Sequence, residues 1–145
     1  MTDTVSVPEP GQDVLIVEDD PAIRRLMAFS FEHEGLSVTT ARDGLEAIET
    51  LKSRHFRVLV LDLMMPRVSG WEVIDWLKER PEGRPRSVIV VSATNRDVLK
   101  ELEPEVVNAI VFKPFDVNEL AGYVKACCGP ADADRRSKRM VGAAH

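Results

Sequence analysis

Cysteine is nearly missing from this chain: the 145 residues hold two, Cys127 and Cys128, and these are neighbours. Adjacent cysteines rarely bridge one another, and two thiols cannot complete a zinc site. A disulfide scaffold and a structural zinc are therefore not expected, and reduced thiols in a cytosolic protein are. Long apolar runs are missing too, since none approaches the roughly 18 residues that a spanning helix needs. The opening residues, MTDTVSVPEPGQ, lack the basic-then-apolar order of a secretory signal. The three histidines, His33, His55 and His145, have no ligand spacing and are given no role. The expectation is a soluble, cytoplasmic protein with no membrane partner.

An excess of positive charge is also absent. The net charge is −5, and from Pro130 onward Asp132 and Asp134 face four bases, Arg135, Arg136, Lys138 and Arg139, so residues 1–129 carry −7. Such a body argues against direct DNA binding, and the RRSKR run reads as a solvated tail. What is present, 44% hydrophobic and 30% charged residues, is the balance of one ordinary globular domain.

Along the chain, two patterns alternate between a loose N-terminal arm (1–12) and a small, polar tail (129–145) expected to be disordered. Short β-branched runs occur at VLIV (14–17), LSVTTA (36–41), VLVLD (58–62), SVIVVS (87–92) and NAIVF (108–112). Between them lie helical stripes: Ile23, Leu26, Met27 and Phe31; Leu45, Ile48 and Leu51; Ile74 and Leu77; Val98, Leu99 and Leu102; Leu120, Val124 and Cys127. Asp20-Pro21 signs one helix start, and Asp43 with Glu46, Ser69 with Glu72, and Asp116 with Glu119 have capping-box spacing. Five strands alternating with five helices predict an α/β fold: a five-stranded parallel sheet, doubly wound and flavodoxin-like, helices on both faces. Strands buried on both sides explain the unbroken aliphatic runs.

One of those runs ends strangely. VLVLDLMMP (58–66) places a carboxylate, Asp62, within an oily stretch, where desolvating a charge is expensive. In an open parallel sheet, ligands sit beyond the carboxyl ends of the strands. Strand one ends in Glu18, Asp19 and Asp20, strand three in Asp62, strand four in Ser92-Ala93-Thr94, and strand five in Lys113-Pro114. Clustered carboxylates repel one another unless a cation shares the site, and hard oxygen ligands suit Mg²⁺. A lysine beside them can pair with a carboxylate or a phosphoryl group. The set reads as a phosphoryl-transfer site with Asp62 able to act as nucleophile. Taken singly, Asp62 is a loop acid, Asp20 a helix cap and Lys-Pro uninformative; the joint arrangement carries the reading.

VLIVEDDP, VLVLDLMMPRVSGWE, VIVVSAT and VFKPF, in this order, resemble a response regulator receiver domain over residues 13–128. The resemblance implies that Asp62 accepts a phosphoryl group from a phosphohistidine on a sensor histidine kinase or a phosphotransfer protein. It further implies Mg²⁺, with Mn²⁺ as a substitute, bound directly by Asp19 and Asp62, by Glu18 through water, and by the backbone carbonyl of Met64. Ser92 and Lys113 correspond to the hydroxyl and ammonium that meet the phosphoryl group, and the Lys113-Pro114 bond is expected to be cis. Ile110 stands where many receivers carry a switching aromatic, so a smaller packing change is expected there. Met64 and Thr94 occupy the two positions from which side chains orient the hydrolytic water.

A stand-alone switch is expected, since 17 residues follow Cys128, with output through an unidentified downstream protein or a phosphorelay and no independent enzymatic activity. An aspartyl phosphatase would want a second aspartate where Met64 stands. The alternative of an unphosphorylated pseudo-receiver is disfavoured by the complete acid, hydroxyl and lysine set. Trp76 on the third helix and Phe29, off the first helix's stripe, are the candidates for docking partners, whereas Trp71 reads as a core-edge residue.

Overall fold

A computed structural model describes residues 13–65, 67–93, 100–102, 104–129 and 139–141. The elements run β1 Asp13–Val17, α1 Pro21–His33, β2 Ser37–Ala41, α2 Gly44–Ser53, β3 Val58–Asp62, α3 Gly70–Lys78, β4 Ser87–Ser92, β5 Ala109–Phe112, α4 Val117–Cys127 and β6 Arg139–Val141. Every strand pairing is parallel, in the order β2-β1-β3-β4-β5-β6. The five expected strands all form. So do four of the five expected helices; Val98 and Leu99 of the remaining stripe lie outside the described residues.

The alternation of side chains along β1, β3 and β4 divides the core in two. Leu15, Leu59, Leu61, Val88 and Val90 face α2 and α3, meeting Ala47, Val73, Ile74 and Leu77. Val14, Ile16, Val60, Ile89 and Val91 face α1 and α4, meeting Met27, Phe31, Leu120 and Val124. All five residues of β3 are buried, as a strand covered on both faces requires.

The helix starts follow their capping residues. Asp20 accepts from the N–H groups of Ala22 and Ile23, Asp43 from Glu46, and Asp116 from Asn118 and Glu119. Glu72 reaches back to the Ser69 N–H at 3.0 Å.

Two expectations need correction. Leu26 does not belong to the buried stripe of α1: it is 55% exposed, and Ser30 is buried with Met27 and Phe31 instead. The tail is not without structure throughout, because Arg139–Val141 pairs with Ala109–Val111 as β6. A strand edge offers unpaired backbone groups to any extended segment, whatever its composition. The Lys113-Pro114 bond is cis, as expected. Among the described residues no helix is long and apolar enough to cross a membrane.

Candidate functional site

The carboxyl ends of β1 and β3 are neighbours, Val17 pairing with Leu61, and the strand order reverses direction between them. That is the crevice in which a doubly wound sheet places its ligand. Glu18 continues β1 by one residue, its N–H donating to the carbonyl of Ala41 at 3.1 Å, and is 2% exposed. Asp62 ends β3 and is 3% exposed. Asp19 is exposed between them, and the three carboxylates each offer an oxygen within 4.8 Å of the others.

Asp62 is held from two sides. Its Oδ1 accepts from the Met64 N–H at 3.1 Å, and its Oδ2 lies 3.4 Å from the Lys113 ammonium. The same ammonium stands 3.6 Å from Glu18 Oε1, so one cation spans two buried acids, donating a long hydrogen bond to Asp62 and facing Glu18. Glu18 Oε2 accepts from the Asp20 N–H at 3.1 Å. Burial, followed by the charge on Asp62, pushes the Glu18 carboxyl from its ordinary 4.5 up to about 7, against the pull of the Asp20 N–H and Lys113. Burial likewise raises Asp62, with Lys113 and the Met64 N–H opposing. The site therefore holds more negative charge than its one ammonium balances, which is the electrostatic condition for a divalent cation. Oxygen donors alone, on both sides of an accessible gap, suit Mg²⁺.

Ser92 lies buried at the end of the adjacent strand, and its carbonyl accepts from the Lys113 N–H at 2.9 Å. Sequence order thus becomes spatial order: Glu18, Asp19, Asp62, Ser92 and Lys113 share one rim. Met64 is 57% exposed beside Asp62. Ile110 is half-buried against the α2 and α3 side of the core, and Pro114 is exposed. Thr94 lies outside the described residues.

Two supports escape a reading of the sequence. Arg24 donates from Nη1 to the carbonyls of Glu18 (2.9 Å) and Asp19 (3.4 Å), fixing the acidic loop from the first turn of α1. Its place four residues after Asp20, on the turn above the cap, is the available signal. Gly70 begins α3 against the site strand. A Cβ there would lie 2.6 Å from Leu63 Cα and closer still to the Asp62 carbonyl oxygen, so glycine is required for the close approach. The Ser-Gly pair signals this no more strongly than it signals an ordinary cap.

The parallel doubly wound sheet thus carries an acid cluster at its topological switch point and a lysine just beyond the end of β5. Residues 14–125 match the family described as the response regulator receiver domain, and the chain belongs to it. It is therefore a receiver domain of two-component signalling. An uncharacterized 14.6 kDa protein of Leptolyngbya boryana is 34% identical over 117 residues, covering 80% of this chain and 89% of that one. The Regulator of RpoS from Escherichia coli K12 is 32% identical over 126 residues, which cover 86% of this chain but 37% of that protein. Among solved structures, the response regulator TrrA of Thermotoga maritima, in complex with Mg(2+)-BeF, is similar at 28% identity and a TM-score of 0.69, covering 80% of this chain and 98% of that one. Receiver domains typically bind Mg²⁺ at an acidic pocket, and the Glu18, Asp19 and Asp62 cluster supplies one here.

Proposed function

We propose that the chain is a phosphorylation-dependent switch in which Asp62 is the phosphoacceptor. The observation that carries this reading is the two-sided hold on Asp62: Oδ1 tied to the Met64 N–H and Oδ2 facing Lys113, in a crevice shared with two further acids. A carboxylate so oriented attacks the phosphorus of a phosphohistidine in line. The new O–P bond forms as the P–N bond breaks, and the imidazole leaves with the electron pair. Asp19, Glu18, Asp62 and the Met64 carbonyl would hold Mg²⁺, which neutralises phosphoryl oxygens when bound.

The donor is a sensor histidine kinase or phosphotransfer protein, and it would meet α1, the helix that follows the acidic loop, through its exposed apolar residues Leu26 and Phe29. The phosphoryl group adds about −1.5 to −2 charge near neutral pH. Lys113 moves from the carboxylates toward it and Ser92 donates to it, drawing on β5 and the segment before it. Coupling to a downstream protein of about 1–3 kcal/mol is the usual scale. With Ile110 in place of an aromatic, the repacking at β5 is small. Mn²⁺ substitutes for Mg²⁺, and the domain acts in the cytoplasm, promoting its own phosphotransfer without an independent activity and without touching DNA.

The test is intact-mass spectrometry after acetyl phosphate and Mg²⁺, on wild type and Asp62→Asn. One phosphoryl adduct on the wild type and none on the folded variant is expected. Mg²⁺-dependent labelling that persists in Asp62→Asn would overturn the assignment.

A further inference from the structure

Opposite the acidic rim, the sheet carries a face of the other sign. The segments leading into β3 and β4 end side by side, because Val58 pairs with Ser87. The first (52–57) holds Lys52, Arg54 and Arg57 and no acid. The second (78–86) holds Lys78, Arg80, Arg84 and Arg86 against Glu79 and Glu82. Together they carry +5 on a body whose remaining residues up to 129 carry −12.

Some of this charge has local work. Lys52 and Lys78 sit in the last turns of α2 and α3, where cations complement the helix dipole. Arg54 pairs with Asp13 at 3.5 Å, and Arg57 donates to the carbonyl of Gly129. Arg80 and Arg84 differ. Among the described residues neither meets a carboxylate, and Arg84 Nη1 is buried without a hydrogen-bond partner.

Both border a cleft of about 230 Å³ between the ends of α2 and α3. Its floor is apolar, from Leu51, Trp76, Leu77 and Pro85, and its rim is Lys52, His55, Arg80 and Arg84 with Glu82 as the lone acid. Arg80 lies 4.3 Å over the Trp76 ring and is held there by the Trp76 carbonyl at 3.0 Å, so the rim is pre-formed.

We infer that this cleft is a docking site for a protein partner whose contact segment carries one apolar anchor flanked by carboxylates. The volume falls below the roughly 300–1,000 Å³ of pockets for small molecules and cofactors, and suits a single large side chain. Guanidinium groups that meet no carboxylate, beside a half-buried tryptophan, are the composition of interface hot spots, and charge complementarity selects an acidic segment. Nucleic acid fits less well, because a phosphate backbone has no use for the apolar floor, whereas a peptide can supply both the carboxylates and the anchor.

The probe is a fluorescein-labelled peptide, Asp-Glu-Asp-Trp-Glu-Asp-Glu, titrated by anisotropy against the full chain at low salt. Two-dimensional NMR on the same samples should shift amides of residues 51–55 and 76–86. Three comparisons decide the matter: the peptide with alanine in place of tryptophan, the chain carrying Arg80→Glu with Arg84→Glu, and a short DNA duplex or phosphatidylserine vesicles in place of the peptide. Acetyl phosphate labelling at the wild-type rate shows that the double variant is folded, since neither arginine belongs to the acidic rim. We expect affinity to fall about tenfold or more on either change, the scale of losing an anchor or two close charge pairs. Equal binding of the alanine peptide, binding unaffected by the charge reversal, or tighter reversal-sensitive binding of DNA or vesicles would each overturn the proposal.

Discussion

Raising the pH of the metal-free protein should destabilise it, and the acidic rim sets both the window and the size of the effect. Glu18 titrates at about 7 when folded, against an ordinary 4.5. Between those values the native state keeps a proton that the unfolded chain has released, so stability falls as pH rises and levels off above about 7. A gap of that width corresponds to about 3 kcal/mol, and Asp62, raised by the same burial, acts in the same direction. Mg²⁺ binds the deprotonated acids, so it should restore what was lost: about 2.7 kcal/mol at a concentration one hundred times its Kd. The assay is urea unfolding at pH 5, 6, 7 and 8, in EDTA and again in excess Mg²⁺, on wild type and on Glu18→Gln. Glutamine keeps an acceptor for the Asp20 N–H but cannot ionise, so the variant should lose most of the slope and exceed wild-type stability at pH 8 in EDTA. A metal-free wild type that is equally stable at pH 5 and pH 8, or a variant with an unchanged slope, would refute the electrostatic account of the rim.

Gly70→Ala should destabilise the protein by about 1–3 kcal/mol, the usual cost of overpacking against backbone, because the added Cβ meets Asp62 and Leu63 main-chain atoms rather than a side chain that could swing away. Urea unfolding and the rate of acetyl phosphate labelling should both decline, and wild-type values for both would show that the loop relaxes freely. Self-dephosphorylation should be slow, because the exposed, apolar Met64 crowds the approach to Asp62 without a group to orient water. Met64→Asn should then shorten the lifetime of the phosphorylated form several-fold by mass spectrometry, and an unchanged lifetime would remove water positioning as the cause.

The central strands were legible because burial on both faces fills their middles with aliphatic residues and leaves polar ones to their ends, so VLVLD and SVIVVS stand out from the chain. The site followed from them: once each run is a parallel strand, Glu18, Asp62, Ser92 and Lys113 must meet at one rim. Leu26 shows where periodicity fails. Its spacing is right for the α1 stripe, but the buried face is as wide as the contact with α4 and the sheet, and Leu26 falls beyond it. Arg24 and Gly70 were illegible for a different reason. Their importance lies in backbone atoms they approach, and sequence patterns report side-chain polarity. The raised Glu18 carboxyl likewise depends on β1 hydrogen-bonding one residue further than its aliphatic run extends.

The sixth strand has a consequence for how the domain meets other chains. Without Arg139–Val141, the aliphatic AIVF strand would present its outer backbone groups as a template on which any extended segment could polymerise. With it, the open border of the sheet passes to a stretch of three residues, too short to seed a fibril-like ladder. A foreign strand seeking β5 must first evict this latch.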